Sequence, residues 1–344
     1  MNLRKKLKKV GITEVEEISS EDIRIIANNV TEIIAKTFPY LYSEYNNILV
    51  KLLNCKMYKA NMVQEISKVN YMYEDGGIYF DKNINLKKID VKMIHECIHY
   101  LQDFRGKKGE LKKIGLCNFV YFSSRGIGIN EAAVRYMSAK TVEEEKETIV
   151  KYGIRLTTNS KNYYPILTNI IEQIIYLFGE EKVIKATLDL DESFEDDFLN
   201  TYEGNTKKII NEMDYILENY NSIIFEKREE NIKYYETEIA NSYFKIEGML
   251  FKGYFDNIIP RIETVQEIDY YIEKINNYKG YIGIREEDIY NSTGFYENEK
   301  IELINKLDKR LYKITKESTK NMLIVIKESK IMQMIRRMFV YFTN

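Results

Sequence analysis

The feature that most constrains this chain is the pentapeptide His95-Glu96-Cys97-Ile98-His99, which fits the pattern H-E-x-x-H. The 344-residue sequence holds two histidines in all, and both lie in this pentapeptide. Residues four positions apart share one face of a helix, so the two imidazoles can bind a single metal ion. Glu96 can then take a proton from a water that the metal activates, while Cys97 turns away into the core. The pattern therefore predicts a metal site carried by a helix.

The residues around the pentapeptide predict a helix that follows a β-hairpin. The helix is expected to start near Asp90 and to run to about Phe104. Before it, the turn signal E-D-G-G at 74–77 lies between two apolar runs, which predicts a hairpin over residues 67–81. Residues 107–125 are predicted to be irregular or weakly helical.

A zinc ion that performs hydrolysis needs a third protein ligand and one open position. Because no third histidine exists, this ligand is a glutamate, an aspartate or a cysteine. Glu131 is the best candidate, since it opens a predicted helix of small residues after a glycine-bearing turn, with Asn130 as the expected N-cap. Cys117 is the alternative. Zinc is the expected metal, because it is redox-inert and suits imidazole and carboxylate ligands.

These residues resemble those of the gluzincin type of zinc metallopeptidase, in which a glutamate on a second helix completes the metal site. The resemblance is local and covers Ile94–Asp103 and Gly126–Ser138. It implies a zincin-like domain and a peptide or protein substrate. In such enzymes the substrate lies as an added strand along a sheet edge. Gly77–Phe80 is a candidate for that edge, and an ordinary core-facing edge strand is the other interpretation.

The chain departs from that family at two positions around the metal. Thermolysin-like members carry an acid four residues after the third ligand, whereas this chain has Arg135, which we expect to pair with a carboxylate or to aid the oxyanion. Those enzymes also often use a further histidine to stabilise the intermediate, and none is available here. The donor is then a tyrosine, an arginine or a backbone N–H. The candidate tyrosines are Tyr136, Tyr163 and Tyr164.

Helical periodicity dominates the rest of the chain. A strongly apolar helix is expected from Tyr164 to Leu177, and helical stripes continue beyond it. We therefore predict an α+β protein that is mostly helical. A zincin-like metallopeptidase domain with a small twisted sheet is expected over residues 1–203, and a helical domain of unknown role over residues 204–344.

Composition limits the partners and the cellular location that we expect for the protein. The net charge of −2 does not favour nucleic-acid binding. The sequence contains no run of 18 apolar residues, so no transmembrane helix is expected. Three cysteines and no apparent secretory signal indicate a cytoplasmic protein, and a protein released without a signal peptide would show the same features. The main functional hypothesis is zinc-dependent peptide-bond hydrolysis with Glu96 as general base. The alternative is a catalytically inactive metal-binding relative that acts as an interaction protein through its helical C-terminal half.

Overall fold

The computed structural model of the chain describes residues 3–63, 67–107, 109–120, 123–286 and 295–317. Helices predominate among these residues and small sheets accompany them, which confirms the predicted α+β class. The chain forms two compact units. The first comprises Met1–Leu250 and Tyr281–Tyr290, and the second comprises Phe251–Gly280 and Asn291–Asn344.

The N-terminal part of the first unit contains a mixed four-stranded sheet. Its helices are α1 (Leu3–Lys9), α2 (Ser20–Thr37) and α3 (Tyr45–Leu53), and its strands are β1 (Ile12–Glu17), β2 (Lys56–Met62), β3 (Val69–Met72) and β4 (Gly77–Asp81). The strand order is β1-β2-β4-β3. Strands β3 and β4 pair antiparallel, which confirms the predicted hairpin.

The expectation that Gly77–Phe80 forms an edge strand is wrong. These residues belong to β4, which lies between β2 and β3, and every residue of β4 is buried. A strand that is buried on both faces usually has a continuous run of apolar residues in its sequence. Ile78-Tyr79-Phe80 is such a run. The edge strand of this hairpin is β3, which contacts the metal helix α4 (Val91–Gln102).

Helix α4 begins where Asp90 accepts a hydrogen bond from the backbone N–H of Met93. It ends two residues earlier than predicted, because the chain enters a second sheet of four short antiparallel strands with the order β5-β6-β7-β8. The strands are β5 (Asp103–Arg105), β6 (Leu111–Ile114), β7 (Cys117–Val120) and β8 (Ser123–Arg125). The prediction of irregular or weakly helical structure over 107–125 is therefore wrong. Strands of three or four residues are too short to show a clear period of two.

Helix α5 (Ile127–Thr141) carries the predicted third ligand and starts earlier than expected. Its N-cap is Gly126 in the left-handed conformation, so Asn130 lies inside the helix and the prediction of Asn130 as N-cap is wrong. Glycine offers no side-chain acceptor for the first N–H groups of the helix. Asp214 supplies it from another helix, by accepting from the N–H of Gly126 at 2.9 Å and of Gly128 at 2.7 Å.

The remaining elements of the first unit are β9 (Glu147–Lys151), β10 (Ile154–Thr158), α6 (Pro165–Phe178), α7 (Glu180–Thr187), α8 (Ser193–Tyr202), α9 (Thr206–Phe225), the start of α10 (Glu229–Ile258) and β11 (Ile284–Arg285). Helix α5 is buried along most of its length and contacts α4, α6, α7 and α9. Helix α6 matches the predicted apolar helix, and its N-terminal ten residues are all buried.

Helix α9 follows the predicted domain boundary at residue 203 in the chain, and it packs closely against α5, which precedes that boundary. A Cβ atom on Gly128 of α5 would lie 2.3 Å from the carbonyl oxygen of Met213 in α9, so only glycine fits there. The predicted boundary at residue 203 thus lies within the first compact unit, ahead of α9. The two predicted domains stay a prediction, and residues 287–294 and 318–344 of the second lie outside the described residues.

The second unit is helical in its described part. Helix α11 (Val265–Tyr278) begins with a capping box formed by Thr264 and Glu267, and residues 295–317 are also helical. The aromatic ring of Phe251 stacks on Tyr278 with the centroids 4.7 Å apart. Across the described part of the chain, every helix is too short or too polar to span a lipid bilayer.

Candidate metal centre

The structure brings His95, His99 and Glu131 together. The two imidazole Nε2 atoms lie 3.0 Å apart. The carboxylate of Glu131 approaches them with Oε2 at 3.4 Å from His95 Nε2 and Oε1 at 3.3 Å from His99 Nε2. Helix α4 presents the two histidines one turn apart, and α5 packs beside it to deliver the carboxylate. These three side chains can hold a metal ion.

The spacing of the three ligand atoms suits a tetrahedral ion. Bonds of about 2.1 Å to nitrogen and oxygen place neighbouring ligand atoms of a tetrahedral zinc site about 3.4 Å apart. The separations in this site come close to that value. Cys117, the alternative ligand, is buried in β7, and the metal-capable group among the described residues does not include it. Cys97 is fully buried on the core side of α4, as predicted.

The charges of Glu131 and His99 support each other. Burial opposes the charge of Glu131, but His99 and His95 outweigh it and hold the pKa of Glu131 well below its usual value. Burial likewise opposes a charge on His99, but the carboxylate of Glu131 outweighs it and raises the pKa of His99. Glu131 is therefore ionised at neutral pH, which is the form that binds a metal.

A buried glutamine orients His99, and the sequence interpretation missed it. Oε1 of Gln102 lies 3.3 Å from His99 Nδ1. The amide nitrogen of Gln102 donates to Asn130 Oδ1 at 3.1 Å and to the carbonyl oxygen of Thr187 at 2.7 Å. With its amide donors committed, Gln102 presents its oxygen to the imidazole, so Nδ1 carries the proton and Nε2 keeps a lone pair for a metal.

Glu96 lies beside the two histidines and is anchored to the sheet. Its Oε2 accepts a hydrogen bond of 2.8 Å from the backbone N–H of Tyr71 in the edge strand β3. Burial raises the pKa of Glu96, although His95 and His99 lower it in part. The sheet edge thus fixes the predicted general base next to the metal ligands.

A cavity of about 250 Å³ opens over these residues. Its wall includes His95, Glu96, His99 and Glu131 together with three of the residues predicted for the site, which are Arg135, Tyr163 and Tyr164. Tyr73, from the turn of the β3–β4 hairpin, also lines it. Burial, then Glu131 and Glu96, raise the pKa of Tyr73 well above its ordinary value. The sequence offered no signal for Tyr73, because a tyrosine beside a turn is an ordinary strand residue.

Arg135 and Tyr136 are adjacent on α5, but their side chains lie in different surroundings. The side chain four residues after Glu131 shares its face of the helix, whereas the side chain five residues after it points elsewhere. The hydroxyl of Tyr136 donates to Glu180 Oε1 at 2.6 Å, away from the cavity. The structure therefore does not bring Tyr136 to the cavity with the other predicted site residues, and its role there stays a prediction. Arg135 pairs with Glu144 at 2.6 Å, which is one of its two expected roles.

The structure thus gathers three metal-capable side chains and one glutamate next to them at the wall of a single cavity. Comparisons of the chain with known protein families, with curated proteins and with solved structures found no match. The chemistry of this centre is therefore inferred from its geometry.

Proposed function

We propose that this protein is a zinc-dependent peptidase in which His95, His99 and Glu131 hold the metal. One observation carries the proposal: the three ligand atoms are spaced as a tetrahedral zinc site requires, and the carboxylate of Glu96 lies in the same cavity. The order of a β-hairpin, a metal helix and a second helix with the glutamate ligand also fits the zincin-like fold that the resemblance to gluzincins implies.

In the proposed hydrolysis, Glu96, Tyr71 and Gln102 each have a separate role. When bound, zinc supplies the Lewis acidity that polarises water and a carbonyl group. Because the N–H of Tyr71 holds Oε2 of Glu96, Oε1 is available to take the proton of the attacking water. Glu96 then passes this proton to the leaving nitrogen as the carbon–nitrogen bond breaks. Gln102 keeps His99 in the tautomer that binds metal.

The proposed substrate is a peptide or protein segment. The sheet edge that contacts the metal helix is β3, so β3 takes the place that the sequence interpretation gave to Gly77–Phe80. An extended segment beside β3 would pass the cavity that holds Glu96.

Zinc analysis and peptide cleavage of matched variants test the proposal. We expect about one zinc per chain in the wild type, loss of zinc in His95→Ala and Glu131→Ala, and retained zinc in Glu96→Gln. Glu96→Gln should lower the rate of peptide cleavage by at least about 10²-fold. Glu172→Gln is the control, since Glu172 is also a buried glutamate but does not line the cavity.

Two outcomes would contradict the proposal. Full zinc retention in Glu131→Ala would remove Glu131 from the ligand set. A wild-type protein that holds zinc and cleaves nothing in a broad peptide library would instead be an inactive metal-binding relative, which is the interaction protein of the alternative hypothesis.

A further inference from the structure

One wall of the metal cavity is formed by the segment of residues 159–164, which connects β10 to α6 and is called the strap here. Tyr163 and Tyr164 at its C-terminal end line the cavity. The strap has no regular secondary structure, so side-chain contacts have to hold it in place.

Arg135 makes the central contact with the strap and is only 4% exposed. Its Nε donates to Ser160 Oγ at 2.5 Å, and its Nη2 donates to Glu144 Oε2 at 2.6 Å. Ser160 Oγ in turn donates to the carbonyl oxygen of Tyr163 at 2.5 Å. Two of the three guanidinium nitrogens are thus committed, one to Ser160 of the strap and one to Glu144 outside it. Through the hydroxyl of Ser160, Arg135 is also linked to the C-terminal end of the strap at Tyr163.

The ring of Tyr163 adds a second attachment. Arg135 Cζ lies 5.2 Å from the centroid of this ring, and Lys92 Nζ of α4 lies 5.4 Å from it. Both distances allow cation–π attraction. The strap is therefore attached to the two helices that carry the metal ligands.

Tyr164 is the residue whose position this arrangement determines. Its backbone is left-handed, with φ 47° and ψ 46°, although it is a tyrosine and precedes Pro165. Such a conformation costs about 1–3 kcal/mol for a residue other than glycine and persists only when its surroundings hold it. None of the described hydrogen bonds uses the hydroxyl of Tyr164, which leaves it free for a ligand in the cavity.

We propose that Arg135 is a positioning residue that holds the strap, so that the hydroxyl of Tyr164 donates a hydrogen bond to the oxyanion of the substrate. The proposal rests on the peptidase function proposed above. The donor that hydrolysis requires thus comes from the strap, and Arg135 acts through Tyr164. Lysine cannot replace Arg135, because a single ammonium lacks the planar fork that reaches Ser160 and Glu144 together.

A double-mutant cycle on zinc-loaded protein tests this dependence. We expect Tyr164→Phe to lower kcat by about 10–100-fold and Arg135→Lys to lower it by about 10-fold, with KM changed by less than about 3-fold. In the Tyr164→Phe background, Arg135→Lys should cause no further loss of kcat. An equal loss in both backgrounds would overturn the proposal, because it would show that Arg135 acts independently of Tyr164.

Hydrogen exchange separates this proposal from the peptidase function, since it needs no activity. In zinc-loaded Arg135→Lys, the amides of residues 159–164 should exchange at least about 10-fold faster than in the wild type, while those of α4 stay unchanged. Arg155→Lys, an exposed arginine on β10, is the matched control and should leave the exchange unaltered. Unchanged amide exchange of the strap in Arg135→Lys would show that Arg135 does not hold the strap, and would overturn the proposal even if the wild type cleaves peptides. Absence of cleavage with faster strap exchange would overturn the function and the role of Tyr164.

Discussion

At the scale of single residues, the proposed metal centre depends on side chains that are not themselves candidate ligands. A metal-ligating histidine usually donates its second N–H to an acceptor that fixes its orientation. In thermolysin-like enzymes an acid four residues after the glutamate ligand serves as such a partner, and here that position is Arg135. Gln102, three residues after His99 on the same helix, provides the acceptor instead.

Replacing Gln102 should therefore weaken metal binding without removing a ligand. We expect Gln102→Leu to lower the affinity for zinc by about 10–100-fold, because His99 loses the partner that fixes its tautomer. Competition with a chromophoric chelator measures this affinity. Gln173→Leu is the control, since Gln173 is equally buried but lies in a different network on α6. Equal zinc affinities of Gln102→Leu and the wild type would show that Gln102 does not support the site.

At the scale of elements, the start of α5 shows how a side chain of one helix can cap another helix. Gly126 gives the tight turn that precedes the helix but has no side chain to cap it. Asp214 of α9 accepts from two of its first N–H groups, and Gly128 allows the two helices to approach closely. The helix that carries Glu131 thus depends on a residue far along the chain.

Loss of this acceptor should destabilise the protein. We expect Asp214→Ala to lower the free energy of unfolding by about 1–2 kcal/mol, because the N–H groups of Gly126 and Gly128 lose their acceptor. Urea denaturation measures the change. Asp269→Ala, on the exposed face of α11, should change stability by less than about 0.5 kcal/mol. A loss for Asp214→Ala as small as that of the control would contradict a capping role.

At the scale of the whole molecule, a buried polar network joins distant parts of the first unit. Oε1 of Glu247 in α10 accepts from the backbone N–H of Gly283 at 2.8 Å and from the hydroxyl of Tyr243 at 2.9 Å. Gln173 of α6 donates to the same oxygen at 3.4 Å. Burial raises the pKa of Glu247 to about 8, although these hydrogen bonds oppose the shift.

The raised pKa makes stability depend on pH. Between pH 4.5, the ordinary value, and about pH 8, folded Glu247 holds a proton that the unfolded chain has lost. Its contribution to the free energy of unfolding therefore falls as pH rises through this range, by up to about 1.4 kcal/mol per pH unit. In urea denaturation from pH 5 to 8, Glu247→Gln should show a weaker decline than the wild type. Parallel pH profiles of the two proteins would contradict this assignment.

Much of the metal centre could be predicted from the sequence, because its key relations are local. His95 and His99 are one helical turn apart, so a helix alone brings them together. The lack of a third histidine left a glutamate, an aspartate or a cysteine as the third ligand, and the glycine turn and small residues around Glu131 favoured it over Cys117. Gln102, Tyr73 and the true edge strand could not be predicted, because each depends on contacts between elements rather than on a pattern along one of them.

The sequence by itself determined the α+β class, the hairpin, the metal helix and the residues able to bind a metal, since helical period, turn chemistry and residue type act over short distances. Only the tertiary structure decided that Arg135 faces the cavity while Tyr136 turns to Glu180, and that α9 caps α5. It also decided that Leu111–Ile114, Cys117–Val120 and Ser123–Arg125 pair as strands. Such outcomes depend on burial and on partners distant in the chain, and no local pattern carries that information.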